Sequence, residues 1–172
     1  WSAITECANA PPARISAPLT DLCASPVGTR DRQLLLGAAV LVLDRHSGWA
    51  FVQTKYDGYV GWVAEAALGP MIAPTHAVKV RSTHLYPEPL VRKREIAALS
   101  LGAEVAVEAD VASFAHTPDG FIPLAHLCPL DRPLSDPVAV AELLLGTPYL
   151  WGGNSAFGID CSGLVQLACQ CS

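Results

Sequence analysis

Apolar residues alternate with polar ones in short runs over much of the chain, and one such pattern occurs twice. Leu34-Leu35-Leu36-Gly37-Ala38-Ala39-Val40-Leu41-Val42 returns as Leu99-Ser100-Leu101-Gly102-Ala103-Glu104-Val105-Ala106-Val107. Each copy reads as a half-buried strand beside a turn at its Gly. Further along, Asp57-Gly58-Tyr59-Val60 is matched by Asp119-Gly120-Phe121-Ile122. Asp-Gly between apolar runs predicts a hairpin with a type I′ turn, which needs positive φ at both central residues. The two copies predict a duplicated β unit of roughly 55–65 residues. In the first copy the spacing predicts strands near 14–20, 34–44, 49–55 and 59–64, with Trp49 and Trp62 filling a small barrel.

The texture changes after Leu127. Residues 129–134, with Pro129 and Pro133, read as a linker. Ser135-Asp136-Pro137 then opens a helix, a capping side chain followed by Pro where a missing N–H costs nothing. Val138, Ala141, Leu144 and Leu145 recur at helical spacing, and Gly146 stops the run. Tyr149-Leu150-Trp151-Gly152-Gly153 follows, with Tyr149 expected in the core and Trp151 beside an irregular glycine loop. Asp160-Cys161-Ser162-Gly163 precedes Leu164-Val165 and predicts a helix N-terminus. There the helix dipole and free N–H groups favour a thiolate and can hold a tetrahedral oxyanion. Asp160 opposes a thiolate, so its expected work is capping the helix, holding a cationic group of a substrate, or both.

Composition narrows the classes. About half of the 172 residues are apolar and the formal charge is −5, so a nucleic-acid or anionic-membrane partner is not expected. The Arg92-Lys93-Arg94 run is short and is followed by Glu95, as in a solvated loop. The longest apolar stretch, Leu34 to Leu43, is far too short to span a bilayer. Six cysteines (7, 23, 128, 161, 169, 171) are unevenly spread and lack metal-ligand spacing, which favours free thiols in a reducing, cytoplasmic compartment, with a periplasmic or secreted location left open. No cofactor is expected. A thiol-redox or zinc protein using Cys161, Cys169 and Cys171 is a further, weaker reading.

Two resemblances sharpen this picture. Gly48-Trp49 with Asp57-Gly58-Tyr59-Val60-Gly61-Trp62-Val63 resembles the bacterial SH3-like domain over 13–69, and more loosely over 77–128, where the Gly-Trp pair is missing and Pro123 falls in a strand. Thr147-Pro-Tyr-Leu-Trp-Gly-Gly153 with Gly158-Ile-Asp-Cys-Ser-Gly-Leu-Val-Gln166 closely resembles the NlpC-type, papain-like cell-wall peptidases. The SH3-like pair and Thr83-His84-Leu85-Tyr86-Pro87 narrow this to γ-D-glutamyl-L-diamino acid endopeptidases. The implied fold is mainly β: two small SH3-like barrels, then the N-terminal helical fragment, 135–172, of an α+β peptidase domain.

That resemblance implies Cys161 as nucleophile, Asp160 and Ser162 at the substrate's amine end, Trp151 as a pocket wall and Tyr86 closing the pocket. The implied partner is a murein-derived peptide with a free N-terminal L-Ala. The family's base is a His after the Cys, yet His46, His76, His84, His116 and His126 all precede Cys161, with His84 the only upstream candidate. The chain is therefore expected to be a truncated peptidase, inactive alone, whose last apolar residues lack part of their cover. The β copies are expected as scaffold, substrate gate or wall-binding modules, and the alternative reading is a non-catalytic peptide-binding SH3-like module.

Overall fold

The computed structural model describes residues 10–172, so the Cys7 position lies outside the described residues. The chain divides into two compact units, one ending at Ile72 and the other running Ala73–Ser172.

The first unit is a single antiparallel sheet of seven strands: β1 (Pro12–Ile15), β2 (Leu19–Cys23), β3 (Arg30–Leu35), β4 (Ala39–His46), β5 (Trp49–Thr54), β6 (Val60–Ala64) and β7 (Leu68–Pro70). Their order is β3-β2-β6-β5-β4-β1-β7. Period-two alternation decides what faces inward. Ala50, Val52 and Thr54 of β5 are buried, as are Val40 and Val42 of β4 and Val63 of β6, and they meet Ile15 and Leu22 in an aliphatic core. Trp49 and Phe51 point the other way. Phe51 pairs across the sheet with Trp62, ring centroids 5.3 Å apart, so the tryptophans pack on the sheet's other face and do not fill the barrel as expected.

Two expected strands are each broken. The stretch near 14–20 becomes β1 and β2 around Pro18, and 34–44 becomes β3 and β4 around Gly37, whose φ of +87° suits only glycine. Only Gly58 of the Asp57-Gly58 pair has positive φ, so the turn is longer than type I′. Asp57 instead accepts the Tyr59 N–H at 3.2 Å and the Thr54 hydroxyl, closing the loop from its side chain.

The second unit contains β8 (His76–Val78), β9 (Ser82–Leu85), β10 (Ala97–Ser100), β11 (Glu104–Val105), β12 (Ala109–Val111), β13 (Phe114–Thr117), β14 (Gly120–Pro123) and β15 (Leu127–Pro129). These form ladders β9-β10, β11-β8-β15 and β12-β13-β14 around Val78, Leu85, Leu99, Leu101, Phe114 and Ile122. The repeat seen in the sequence reappears as geometry. Gly37 N–H bonds the Ile15 carbonyl at 2.9 Å and Ala38 N–H bonds Leu35 at 3.1 Å; Gly102 N–H bonds Val78 at 3.0 Å and Ala103 N–H bonds Ser100 at 3.1 Å. In the second hairpin Thr117 pairs with Gly120, so Pro118 and Asp119 make the turn and Gly120 lies in the strand.

The remaining elements are α1 (Pro137–Glu142), the short hairpin β16 (Asn154–Ser155) and β17 (Gly158–Ile159), and α2 (Cys161–Gln170). Asp136 caps α1 as expected, accepting the Val138 N–H at 2.9 Å with Pro137 in the first turn. Val140 and Leu144 are buried, while Val138 and Leu145 face outward. In α2, Leu167 and Ala168 are buried, Leu164 is half-buried and Val165 is exposed, so the cover expected to be missing is present for Leu167 and Ala168 and absent for Val165. The cysteines 23, 128, 161, 169 and 171 are free thiols.

Candidate active site

Cys161 is the first residue of α2 and is exposed. Its position follows from close backbone packing before it. Gly152 has φ +68°, reversing the chain after Trp151. A Cβ on Gly153 would sit 2.5 Å from the Gly158 carbonyl oxygen, and one on Gly163 would sit 2.4 Å from the Gly153 carbonyl oxygen. The loop 152–153, strand β17 and the first turn of α2 therefore touch backbone to backbone. Asp160 N–H bonds the Gly153 carbonyl at 3.1 Å, and Leu150 N–H bonds Ile159 at 3.1 Å, locking the same layers laterally.

Asp160 is the N-cap of α2 and more than that. Its Oδ1 accepts the Gly163 N–H at 2.7 Å and the Ser162 hydroxyl at 2.8 Å, and its Oδ2 accepts the Gly152 N–H at 3.0 Å. Burial alone would push this carboxyl up; the bonds from Gly163, Ser162 and Gly152 outweigh it and hold the pKa below the ordinary value. Asp160 is thus ionised at neutral pH and ties the helix start to the glycine loop. Ionised, it has about four acceptor sites, and the N–H groups of Gly163, Ser162 and Gly152 together with the Ser162 hydroxyl occupy them.

This clamp consumes donors. The N–H groups of Ser162 and Gly163 turn to the Asp160 carboxylate, and Leu164 N–H bonds the Asp160 carbonyl at 3.0 Å. Among the described residues only the Cys161 N–H of this turn stays uncommitted. The several amides expected for an oxyanion reduce to one within the turn.

The structure gathers Asp160, Cys161 and Ser162 at one helix start, and the Gly152–Asp160 bond brings the loop of Trp151 to them. Trp151 is exposed, and so is Tyr149, against the expectation that it packs in the core. Tyr149 bridges Ile159 through its backbone, which leaves its ring outside. Tyr86 makes its ring contacts elsewhere: edge-on to Phe114 with centroids 6.0 Å apart, and 6.1 Å from His84. Its backbone exchanges two 2.8 Å bonds with Phe121, an approach Gly120 permits, since a Cβ there would lie 2.6 Å from the Tyr86 carbonyl oxygen. The Asp119-Gly120 motif signals a turn and gives no sign of this approach.

No histidine among the described residues hydrogen-bonds Cys161. His76 bonds Thr75, His126 bonds Thr83 at 2.7 Å, His116 lies 3.3 Å from Glu108, and His84 packs on Tyr86. Among the described residues no group of three or more His, Cys, Asp or Glu side chains could hold a metal ion, and no helix is long and apolar enough to cross a membrane.

A small antiparallel barrel, followed by a thiol at a glycine-packed helix start, is the arrangement that known proteins match in two places. Residues 22–68 match the model of the bacterial dipeptidyl-peptidase Sh3 domain, and residues 146–172 match that of the NlpC/P60 family. The C-terminal segment is accordingly similar to the NlpC/P60 family, and a region ahead of it is similar to the Sh3 domain.

Two curated relatives agree. Dipeptidyl-peptidase 6 of Lysinibacillus sphaericus is 24% identical over 170 residues, covering 79% of this chain and 59% of that protein. The gamma-D-glutamyl-L-lysine dipeptidyl-peptidase of Bacillus subtilis (strain 168) is 28% identical over 148 residues, covering 77% of this chain and 50% of that protein. The chain thus spans little more than half the length of these relatives. The crystal structure of an NlpC/P60 family protein from Bacillus cereus ATCC 10987 superposes with a TM-score of 0.75 at 19% identity, covering 92% of this chain and 72% of that one, and shows the shared, mainly β fold.

Proposed function

We propose that the protein is a cysteine peptidase that hydrolyses the amide following γ-D-Glu in murein-derived peptides, with Cys161 as nucleophile. The observation that carries this reading is an exposed thiol at the first residue of α2, its own N–H uncommitted, beside an ionised carboxylate. The similarity to the gamma-D-glutamyl-L-lysine dipeptidyl-peptidase supports the substrate class.

In this mechanism the Cys161 thiol gives its proton to a base and the sulfur attacks the amide carbon. The carbonyl electron pair moves to oxygen, where the Cys161 N–H meets it. Collapse expels the amine, which takes up the proton, and water then hydrolyses the thioester. Asp160 and Ser162 receive the free α-ammonium of the N-terminal L-Ala, through the negative charge of the carboxylate and the oxygen of the Ser162 hydroxyl. Trp151 forms the wall, and Tyr86 closes the pocket toward longer chains. Residues 13–69 and 77–128 are two SH3-like domains in this reading, 129–134 a linker and 135–172 the start of the peptidase domain. Recycling of short wall peptides places the protein in the cytoplasm.

Because His76, His84, His116 and His126 hold other partners, residues 1–172 alone should turn over little substrate. The full gene product should cleave L-Ala-γ-D-Glu-diamino acid peptide, lose that activity in Cys161→Ala, and cleave the N-acetylated peptide poorly. Turnover that survives Cys161→Ala refutes the assignment.

A further inference from the structure

Arg81 and Ser100 belong to the second β region, yet both reach the segment that presents Cys161. Arg81 Nη1 donates to the Leu145 carbonyl at 2.7 Å and Nη2 donates to Thr147 Oγ1 at 3.1 Å. Thr147 Oγ1 donates onward to the Ala156 carbonyl at 3.4 Å. Ala156 N–H donates to Ser100 Oγ at 2.9 Å, and Ser100 Oγ donates to the Leu101 carbonyl at 3.2 Å. Leu101 N–H returns to the Arg81 carbonyl at 3.0 Å. The bonds close a ring through five residues.

Both arms of the ring lead to the nucleophile. Ala156 follows β16 at the tip of the hairpin whose second strand, β17, runs directly into Asp160 and Cys161. Thr147 starts the stretch that grips that strand, with Ile159 N–H bonding the Pro148 carbonyl at 3.1 Å and Leu150 N–H bonding Ile159. Fixing Thr147 and Ala156 therefore fixes Ile159, two residues before the sulfur.

The internal repeat supplies an independent comparison. In the first copy the same turn exists, with Leu36 N–H bonding the Pro18 carbonyl at 3.2 Å where Leu101 bonds Arg81. There Pro18 and Leu35 stand where the second copy has Arg81 and Ser100. One architecture thus carries a guanidinium and a hydroxyl in the second copy and neither at the matching positions of the first. Ser100 is 1% exposed, so its hydroxyl serves the ring and not solvent.

We propose that Arg81 and Ser100 are positioning residues for Cys161, acting through Thr147 and Ala156. This rests on reading Cys161 as the nucleophile. The second β region is then a structural part of the active site, even apart from any substrate contact.

The test uses iodoacetamide alkylation of the full chain, mapped by peptide mass, with Cys169 as internal reference. Cys169 is exposed on the same helix, so global loosening moves both thiols while a positional change moves Cys161 alone. Losing a charge-assisted hydrogen bond in Arg81→Met should slow Cys161 about threefold or more relative to Cys169, with Arg81→Lys recovering part of the loss. Ser100→Ala should move the ratio in the same direction and decides the matter alone if Arg81→Met does not fold. An unchanged ratio, or equal changes at both thiols, overturns the proposal. The ratio needs no turnover, so its outcome is separate from that of the peptidase assay.

Discussion

Asp160 is bound from two sides, and removing it should cost more than removing an ordinary helix cap. Asp136 at α1 gives the reference, since among the described residues its side chain accepts only the Val138 N–H. A lost cap of that kind costs ~1 kcal/mol. Asp160→Ala also removes the charge-assisted bond to the Gly152 N–H and frees the Ser162 hydroxyl. A hydrogen bond to a charged group contributes ~1.5–3 kcal/mol, so the total is about 2–4 kcal/mol. Asp160→Asn keeps an acceptor at the cap and should lose about half as much. Hydrogen exchange over peptides within 161–170 measures this directly, because 1.4 kcal/mol is about tenfold in protection. Asp160→Ala should lower protection about thirtyfold or more, and Asp136→Ala should lower it in 137–142 about fivefold. Equal losses in the two variants would refute the clamp and leave only a cap.

Other outcomes follow from the same geometry. Gly163→Ala places a methyl 2.4 Å from the Gly153 carbonyl oxygen and should destabilise the second unit by about 2 kcal/mol or more, read as a lower urea midpoint. The Asp160 pKa is lowered on folding, so its contribution is present above the ordinary carboxylate value of about 3.9 and is lost as pH falls through the folded one. Protection of α2 should therefore fall with acid in the wild type and not in Asp160→Asn. Burial first, then the charges of Cys128 and Glu104, push the Cys171 thiol up to about 12. At neutral pH it should alkylate far more slowly than the exposed Cys161 and Cys169, and rapid Cys171 labelling in the native state would contradict this burial.

Much of this was legible in one dimension. The duplicated Leu-Gly turn, the Asp136-Pro137 helix start and the Cys161 helix start are local, set by φ preference, capping and alternation, and local rules reach them. The misses are tertiary. Alternation says that Trp49 and Val52 face opposite ways but not which face is the core, and bulk was the wrong guide. The apolar runs continue through the bends at Pro18 and Gly37, so alternation alone does not reveal the breaks. Core packing is the expectation for Tyr149, whereas its backbone bridge to Ile159 turns the ring outward. Arg81 and Ser100 lie far from Cys161 in sequence and match no motif; comparing the two repeat copies position by position was the one signal available.

The close approach of Gly153 to Gly158 and of Gly163 to Gly153 leaves no room for a side chain at Gly153 or Gly163. At Gly153 and Gly163 even a methyl group would have to force neighbouring backbones away from each other, and at Gly158 it would run into the Leu150 side chain. Trp151, Tyr149 and Phe157 project outward from the same scaffold. New selectivity can therefore be tuned on this outer ring of aromatics while the sulfur's mounting stays untouched.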